Sequence, residues 1–270
     1  MTDKDLTAEE TEGWTVVRLD RPAARNALRT GTWQQLADAL DTVEAGGSTG
    51  LILTGGPQWF CSGADLREAG GSIPQPGPGV LWSSTARLRL AQRAIERLRA
   101  FPKPTIAAVE GYAIGVGWSL ALSCDLIVSS SSAFFAQPAA AAGMVSDGGL
   151  VRDLCQAVGY QAAAEILLSS SRLEAADAYS AGMVTRLSEP GDTLAGALDL
   201  ARRVSAVPEP VRFALKSMLA AVRGGTASGF MEHEALAVAF NKLQPGHAEG
   251  RARFAAGARF YAAAEQGHGD

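Results

Sequence analysis

The segment WTVVRLD, residues 14–20, alternates apolar and polar side chains, a period of two that predicts a half-buried strand. RPAARNAL (21–28) then turns the chain, and in TGTWQQLADALDTVEA the residues Leu36, Leu40 and Val43 recur on one face of a helix. GLILTGG (50–56) is a short apolar strand stopped by glycines, and CSGADLREAGG after it is expected to open a helix. SIPQPGPGV (72–80) has the proline and glycine density of a mobile loop. ARLRLAQRAIERLRAF (86–101) has amphipathic spacing that sets its arginines outward. Residues 105–109 and 125–129 read as strands flanking a helix at 117–123, and FFAQP (134–138) holds another short strand. From about residue 149 the pattern is helical, with MVTRLS (183–188) as a last short strand. VPEPVRFALKSMLAAVRGG begins a C-terminal helical section behind Pro208 and Pro210. Strands alternating with helices predict an α/β fold. The expected division is a core over 10–204 and a helical region over 205–270.

Composition narrows the partners more than the fold. A chain of 270 residues buries a sizeable core. Its net charge of -4 gives no case for nucleic acid or an anionic membrane surface. No apolar run reaches the length of a membrane span. The opening MTDKDLTAEETEG is polar and acidic, unlike a secretory or transit segment. Cys61, Cys124 and Cys155 are odd in number and far apart, which fits a reducing compartment rather than a disulfide framework or a zinc site. The expected location is the cytoplasm, and no metal is expected.

Several catalytic patterns are absent. GVGWSL lacks the third glycine of the dinucleotide fingerprint, and no phosphate-binding GxxxxGK[ST] occurs. Ser119 in GWSLA lacks the second glycine of a nucleophile elbow. His233, His247 and His268 lie near the C-terminus without metal spacing or an evident nucleophile.

Two segments share one form: an apolar strand, a turn of small residues, then an expected helix start. They are LILTGGPQWFCSGADL and TIAAVEGYAIGVGWSLAL. A first helical turn leaves its N–H groups without internal acceptors, and the helix dipole adds positive character there. Two such groups aimed at one point make an oxyanion hole. On composition alone, tight strand-to-helix turns explain the same residues.

These motifs, with LDRPAARNAL, FFAQP, GMVSDGG and the late EGRARF, resemble the crotonase, or enoyl-CoA hydratase/isomerase, superfamily over most of the chain. The resemblance implies a spiral of β-β-α turns with a C-terminal helical trimerisation region, giving homotrimers or homohexamers. It implies an acyl-CoA substrate whose thioester enolate is stabilised by the protein, with no cofactor beyond the coenzyme A of the substrate. Carried onto this chain, the oxyanion donors are the N–H groups of Ala64 and Val116, next to Gly63 and Gly115. Position 116 is usually glycine in the family, so valine here narrows the acyl pocket. The coenzyme A portion is expected along Ala23, Arg25, Ala27, Asp65 and Leu66. Ala23 stands where the family often has a basic residue. Arg25 is either the replacement cation or a solvated surface arginine.

Hydratases of the superfamily use two glutamates, and the matching positions here are Ser119 and Ala139, both against the acyl pocket. Neither supplies a carboxylate, and water addition needs a proton donor and an activated water. One acid remains, Asp147 in GMVSDGG. Epoxyphenylacetyl-CoA isomerases, dienoyl-CoA isomerases and 4-chlorobenzoyl-CoA dehalogenases carry an acid at this position. A single carboxylate suits double-bond isomerisation, and a pocket that desolvates it raises its basicity. The competing role for Asp147 is a helix N-cap ahead of GGLVRDL. The other functional alternatives are an acyl-CoA-binding protein without chemistry, and dehalogenation with Asp147 as nucleophile. The dehalogenases pair this aspartate with an earlier histidine, and no histidine here precedes residue 233.

Overall fold

The computed structural model describes residues 4–68, 78–224 and 227–255. The chain divides into two compact units, one ending at Ser205 and one beginning at Ala206.

In the first unit β1 (Leu6–Thr11) and β2 (Trp14–Leu19) pair antiparallel. The sequence pattern does not announce β1, because LTAEET forms an edge strand whose side chains are largely exposed. α1 (Thr30–Ala45) follows, burying Trp33, Leu36, Leu40 and Val43 on one face. β3 (Leu51–Thr54) and β4 (Thr105–Val109) are buried at every position, as parallel strands covered on both faces must be. Between them α2 (Pro78–Arg99) packs Ala91, Ala94, Ile95 and Leu98 into the core. Residues 72–77 of the expected loop lie outside the described residues, while 78–80 already belong to α2.

β5 (Tyr112–Ile114) leads into α3 (Val116–Ser123), all eight of whose residues are buried. β6 (Leu126–Ser130), β7 (Phe134–Ala136), α4 (Leu150–Val158) and α5 (Tyr160–Ser169) come next. β8 (Arg172–Glu174), α6 (Ala175–Ser180), β9 (Arg186–Ser188) and α7 (Thr193–Ser205) complete the unit. The main sheet runs β1-β2-β3-β4-β6-β9, parallel after the first hairpin. A second sheet, β5-β7-β8, carries the strand that delivers α3.

Two expectations are corrected here. CSGADLRE does not open a helix: its backbone is spent on isolated bridges from Cys61 to Ala113 and from Ala64 to Leu28. Most arginines of α2 do face outward, but Arg99 turns in to pair with Asp153 of α4, both largely buried. That pair ties α2 to α4 beside the Gly148–Gly149 turn. In the second unit α8 (Glu209–Gly224), α9 (Ala227–Lys242) and α10 (Pro245–Ala255) follow one another. The part of the expected terminal helix beyond residue 255 lies outside the described residues.

Candidate active site

The loop from Gly55 to Ala64 is shaped by close backbone packing. Asn26, in a left-handed conformation at φ 58°, donates from Nδ2 to the carbonyl oxygens of Gly55, Trp59 and Phe60. The buried Cys61 thiol donates to the Asn26 carbonyl and accepts from the Gly63 N–H. Burial pushes that thiol up to about 12, the Gly63 N–H offsetting only a part, so it is a neutral packing group and not a nucleophile. Gly63 has φ +95°, and a Cβ there would stand 2.8 Å from the Ile114 carbonyl. Only glycine brings the two turns this close.

Ala64 sits opposite Leu28 in a parallel bridge. Leu28 N–H donates to Gly63 O, and Leu28 O accepts from Asp65 N–H. In such a bridge the intervening residue points its own N–H the other way. The Ala64 N–H therefore finds no acceptor among the described residues, for a reason other than a helix terminus.

The second donor has the helix-terminal origin. Gly115, at φ 55°, caps α3, and its carbonyl accepts from Trp118 and Ser119. The N–H of Val116 is in the first turn and has no acceptor among the described residues. Gly117 lets α3 rest directly on Cys61, since a Cβ at 117 would lie 2.7 Å from the Cys61 Sγ.

Both donor residues line the same two cavities, of about 220 and about 160 Å3. Leu66, Val116, Ala64 and Asp147 are common to both. Asp147 is solvent-accessible there, yet the protein around its carboxyl pushes it above the ordinary carboxylate value, with its own backbone N–H offsetting only a part. The N-cap reading fails: α4 is capped by Gly149 at φ 79°, without a side-chain hydrogen bond. Asp147 contributes only its carbonyl oxygen, which accepts from Leu150 N–H. The neighbouring Gly148, at φ +63°, presses on the Val116 Cγ2, 2.8 Å from where a Cβ would be. Ser146 next to Asp147 is held by the buried Gln137 amide at 2.8 Å. Thus Gln137, Gly148 and Val116 hold the turn on either side of Asp147.

The other predicted positions divide. Gly63, Gly115 and Ala139 line the smaller cavity, and Asp65 lines the larger. Burial pushes the Asp65 carboxyl up, but the Arg21 hydrogen bond at 2.9 Å and other basic contacts outweigh it and hold it below the ordinary value. Ala23, Arg25 and Ala27 line neither cavity. Ala23 and Arg25 are exposed on the turn, Ala27 is buried, and Arg25 is near the Tyr112 side chain. Ser119 is fully buried and lines neither cavity; its hydroxyl faces the Asp147 carbonyl at 3.5 Å. Sequence reasoning misses Trp33 and Arg87, which line the larger cavity from α1 and α2. Helical periodicity marks Trp33 only as core and Arg87 only as surface.

A larger cavity, of about 790 Å3, lies in the second unit between Pro208, Val211, Asn241, His247 and Arg251. No carboxylate is among its described lining residues, so volume alone does not make it the reaction site.

Val116 stands on the wall common to both smaller cavities. Val116→Ala is expected to open one to the other and to raise kcat/KM for branched acyl-CoAs relative to straight ones. The cost in stability is roughly 1–3 kcal/mol. A substrate panel and urea unfolding of both proteins check this; an unchanged preference contradicts it.

This pairing of backbone donors with the Asp147 carboxylate accompanies a clear kinship. The family model described as Enoyl-CoA hydratase/isomerase matches residues 9–258. The chain belongs to that family, within the crotonase superfamily. The 4-chlorobenzoyl coenzyme A dehalogenase-2 of Arthrobacter sp is 31% identical over 256 residues, 94% of this chain and 91% of that protein. The 2,3-dehydroadipyl-CoA hydratase of Escherichia coli strain K12 is 35% identical over 191 residues, 70% of this chain and 71% of that protein. Among solved structures, an enoyl-CoA hydratase from Polaromonas sp. JS666 matches with a TM-score of 0.85 at 27% identity, covering 93% of this chain and 97% of that one. The fold is accordingly the mixed α/β crotonase fold.

Proposed function

We propose that the protein isomerises the double bond of enoyl-CoA thioesters. The observation that carries the reading is Asp147: a carboxylate of raised basicity in the same cavities as two unspent backbone N–H groups. The thioester oxygen binds at the N–H groups of Ala64 and Val116. Asp147 takes a proton from the α-carbon of a β,γ-enoyl thioester. The C–H electron pair becomes the dienolate, whose charge rests on the oxygen. The same carboxyl group returns the proton to the γ-carbon, and the double bond moves to the α,β position. Nothing is consumed, and no group beyond the coenzyme A of the substrate takes part.

Support for this over hydration comes from Ser119 and Ala139, which leave no second carboxylate at the hydratase positions. A binding protein without chemistry fits less well, because the carboxylate is retained on a turn that Gln137 holds through Ser146 and that Gly148 packs against Val116. The Arthrobacter relatives favour a second reading, in which Asp147 attacks a halogen-bearing ring carbon. Against it, no histidine precedes residue 233. The test is a panel of β,γ-enoyl, α,β-enoyl and 4-halobenzoyl-CoA thioesters, followed for double-bond migration, hydration and halide release. Migration alone supports the proposal, and halide release alone supports the second reading.

The assembly is proposed to be a homotrimer, or a homohexamer of paired trimers. Phe213, Leu219 and Val222 on α8 and Met231, Leu236 and Phe240 on α9 are exposed, more apolar surface than a solvated helix pair presents. Sedimentation at micromolar concentration is expected to show trimers or hexamers; monomer throughout contradicts the assignment.

A further inference from the structure

The larger of the two cavities holds a cation that no carboxylate among the described residues answers. Arg29 pairs with Asp5, Asp65 with Arg21, and the Glu68 carboxylate accepts from the Thr30 N–H and hydroxyl. Arg87, on the same wall, has no ion-pair or hydrogen-bond partner among the described residues. Its helical neighbours at three and four positions, Ser83, Ser84, Leu90 and Ala91, carry no charge, and neither does any residue from 69 to 86. Asp147 lines the same cavity but makes no ion pair with Arg87. The two charges therefore stand apart along the cavity, with Leu28, Trp33, Leu88 and Ala91 supplying apolar wall.

This arrangement suits a chain that is apolar in the middle and anionic at its far end. We propose that the cavity receives the distal part of the acyl group and that Arg87 binds a terminal carboxylate there, making ω-carboxyl acyl-CoA thioesters the preferred substrates. The inference rests on the reading that acyl-CoA thioesters occupy this cavity. A guanidinium presents a planar fork that fits a carboxylate through two parallel hydrogen bonds, which a methyl terminus cannot use. Of the positions implied for coenzyme A, Ala23, Arg25 and Ala27 lie outside the cavity while Asp65 and Leu66 line it, so free coenzyme A is the control that separates its phosphates from a terminal carboxylate as the partner of Arg87.

The test is binding, kept separate from turnover. Saturated ω-carboxyl acyl-CoAs of increasing length and their methyl-terminated counterparts are titrated calorimetrically into the full-length protein, its Arg87→Met and Arg87→Lys variants, with free coenzyme A as control. In the wild type one carboxyl-terminated length is expected to bind about tenfold tighter than its methyl counterpart. Arg87→Met is expected to abolish or invert that preference while leaving the methyl series unchanged, and Arg87→Lys to restore part of it. Equal binding of both series overturns the proposal and leaves the acyl-CoA reading standing. A uniform loss in Arg87→Met that includes free coenzyme A assigns Arg87 to the coenzyme phosphates and also overturns it. Failure of both series to bind removes the underlying reading and the proposal together.

Discussion

Asp147→Asn is expected to slow double-bond migration by about 10²–10⁴-fold, the scale of a positioned acid/base, while leaving acyl-CoA binding in place. Asparagine keeps the size and most of the hydrogen bonding of the residue but cannot accept the substrate proton. A stabilising cap role does not cloud the result, because Gly149 occupies the cap position of α4 and makes no side-chain bond. The pH dependence has a definite sign. Burial raises the Asp147 carboxyl, so the basic form is lost at a higher pH than for a free aspartate, whose ordinary value is 3.8. The acid limb of kcat/KM should accordingly fall above that value and vanish in Asp147→Asn. A raised carboxyl also means that the folded state disfavours the charge. Its cost is present above the folded pKa and relieved below it. At neutral pH, Asp147→Asn is therefore expected to match the wild type in denaturant midpoint or to exceed it slightly. Equal migration rates in the two proteins reject Asp147 as the acid/base.

Ser119→Glu, the substitution that restores a hydratase glutamate on paper, is expected to unfold the site and not to add water. Ser119 is fully buried, and a Cβ on Gly148 would already stand 3.0 Å from its hydroxyl. A glutamate there must either bury an unpaired charge or displace the Gly148 turn, and with it Asp147. Either outcome costs about 3 kcal/mol or more, which for a core of this size lowers Tm by about 6–12 °C. Ala139→Glu differs, because Ala139 lines the smaller cavity and is partly exposed. It is expected to fold normally. Calorimetry of both variants, with hydration of an α,β-enoyl-CoA as second readout, decides; a stable Ser119→Glu protein that hydrates contradicts this packing argument.

The strands of the main sheet are legible in the sequence because buried parallel strands have no polar face to dilute the signal, as TIAAV and LILT illustrate. β1 is not legible, since an edge strand with exposed glutamates looks like a polar leader. β5 and β8 are three residues each, too short for a period of two to register. For the site, the motifs locate Ala64, Val116 and Asp147 in chain order, and the fold places all three on shared cavities. The reason for the first donor is not readable, because a helix is the natural continuation of CSGADLRE and only the Leu28 pairing replaces it. Ser119 and Ala139 read as equivalent lost acids, yet one is sealed beneath Gly148 and the other faces the cavity. Arg87 reads as one more outward arginine of an amphipathic helix, since periodicity marks which face a residue occupies but not where that face opens into a cleft.

The central claim is that one carboxylate moves a proton at a thioester carbon while two backbone N–H groups hold the resulting charge. Incorporation of solvent deuterium at the α-carbon of a β,γ-enoyl-CoA, followed by NMR in D2O, tests it most directly, because it registers proton removal even when the double bond returns to its starting place. The wild type is expected to exchange the α-hydrogen and to accumulate the α,β isomer, and Asp147→Asn to bind the thioester and do neither. A wild-type protein that binds these thioesters without exchanging the α-hydrogen of any would contradict the claim.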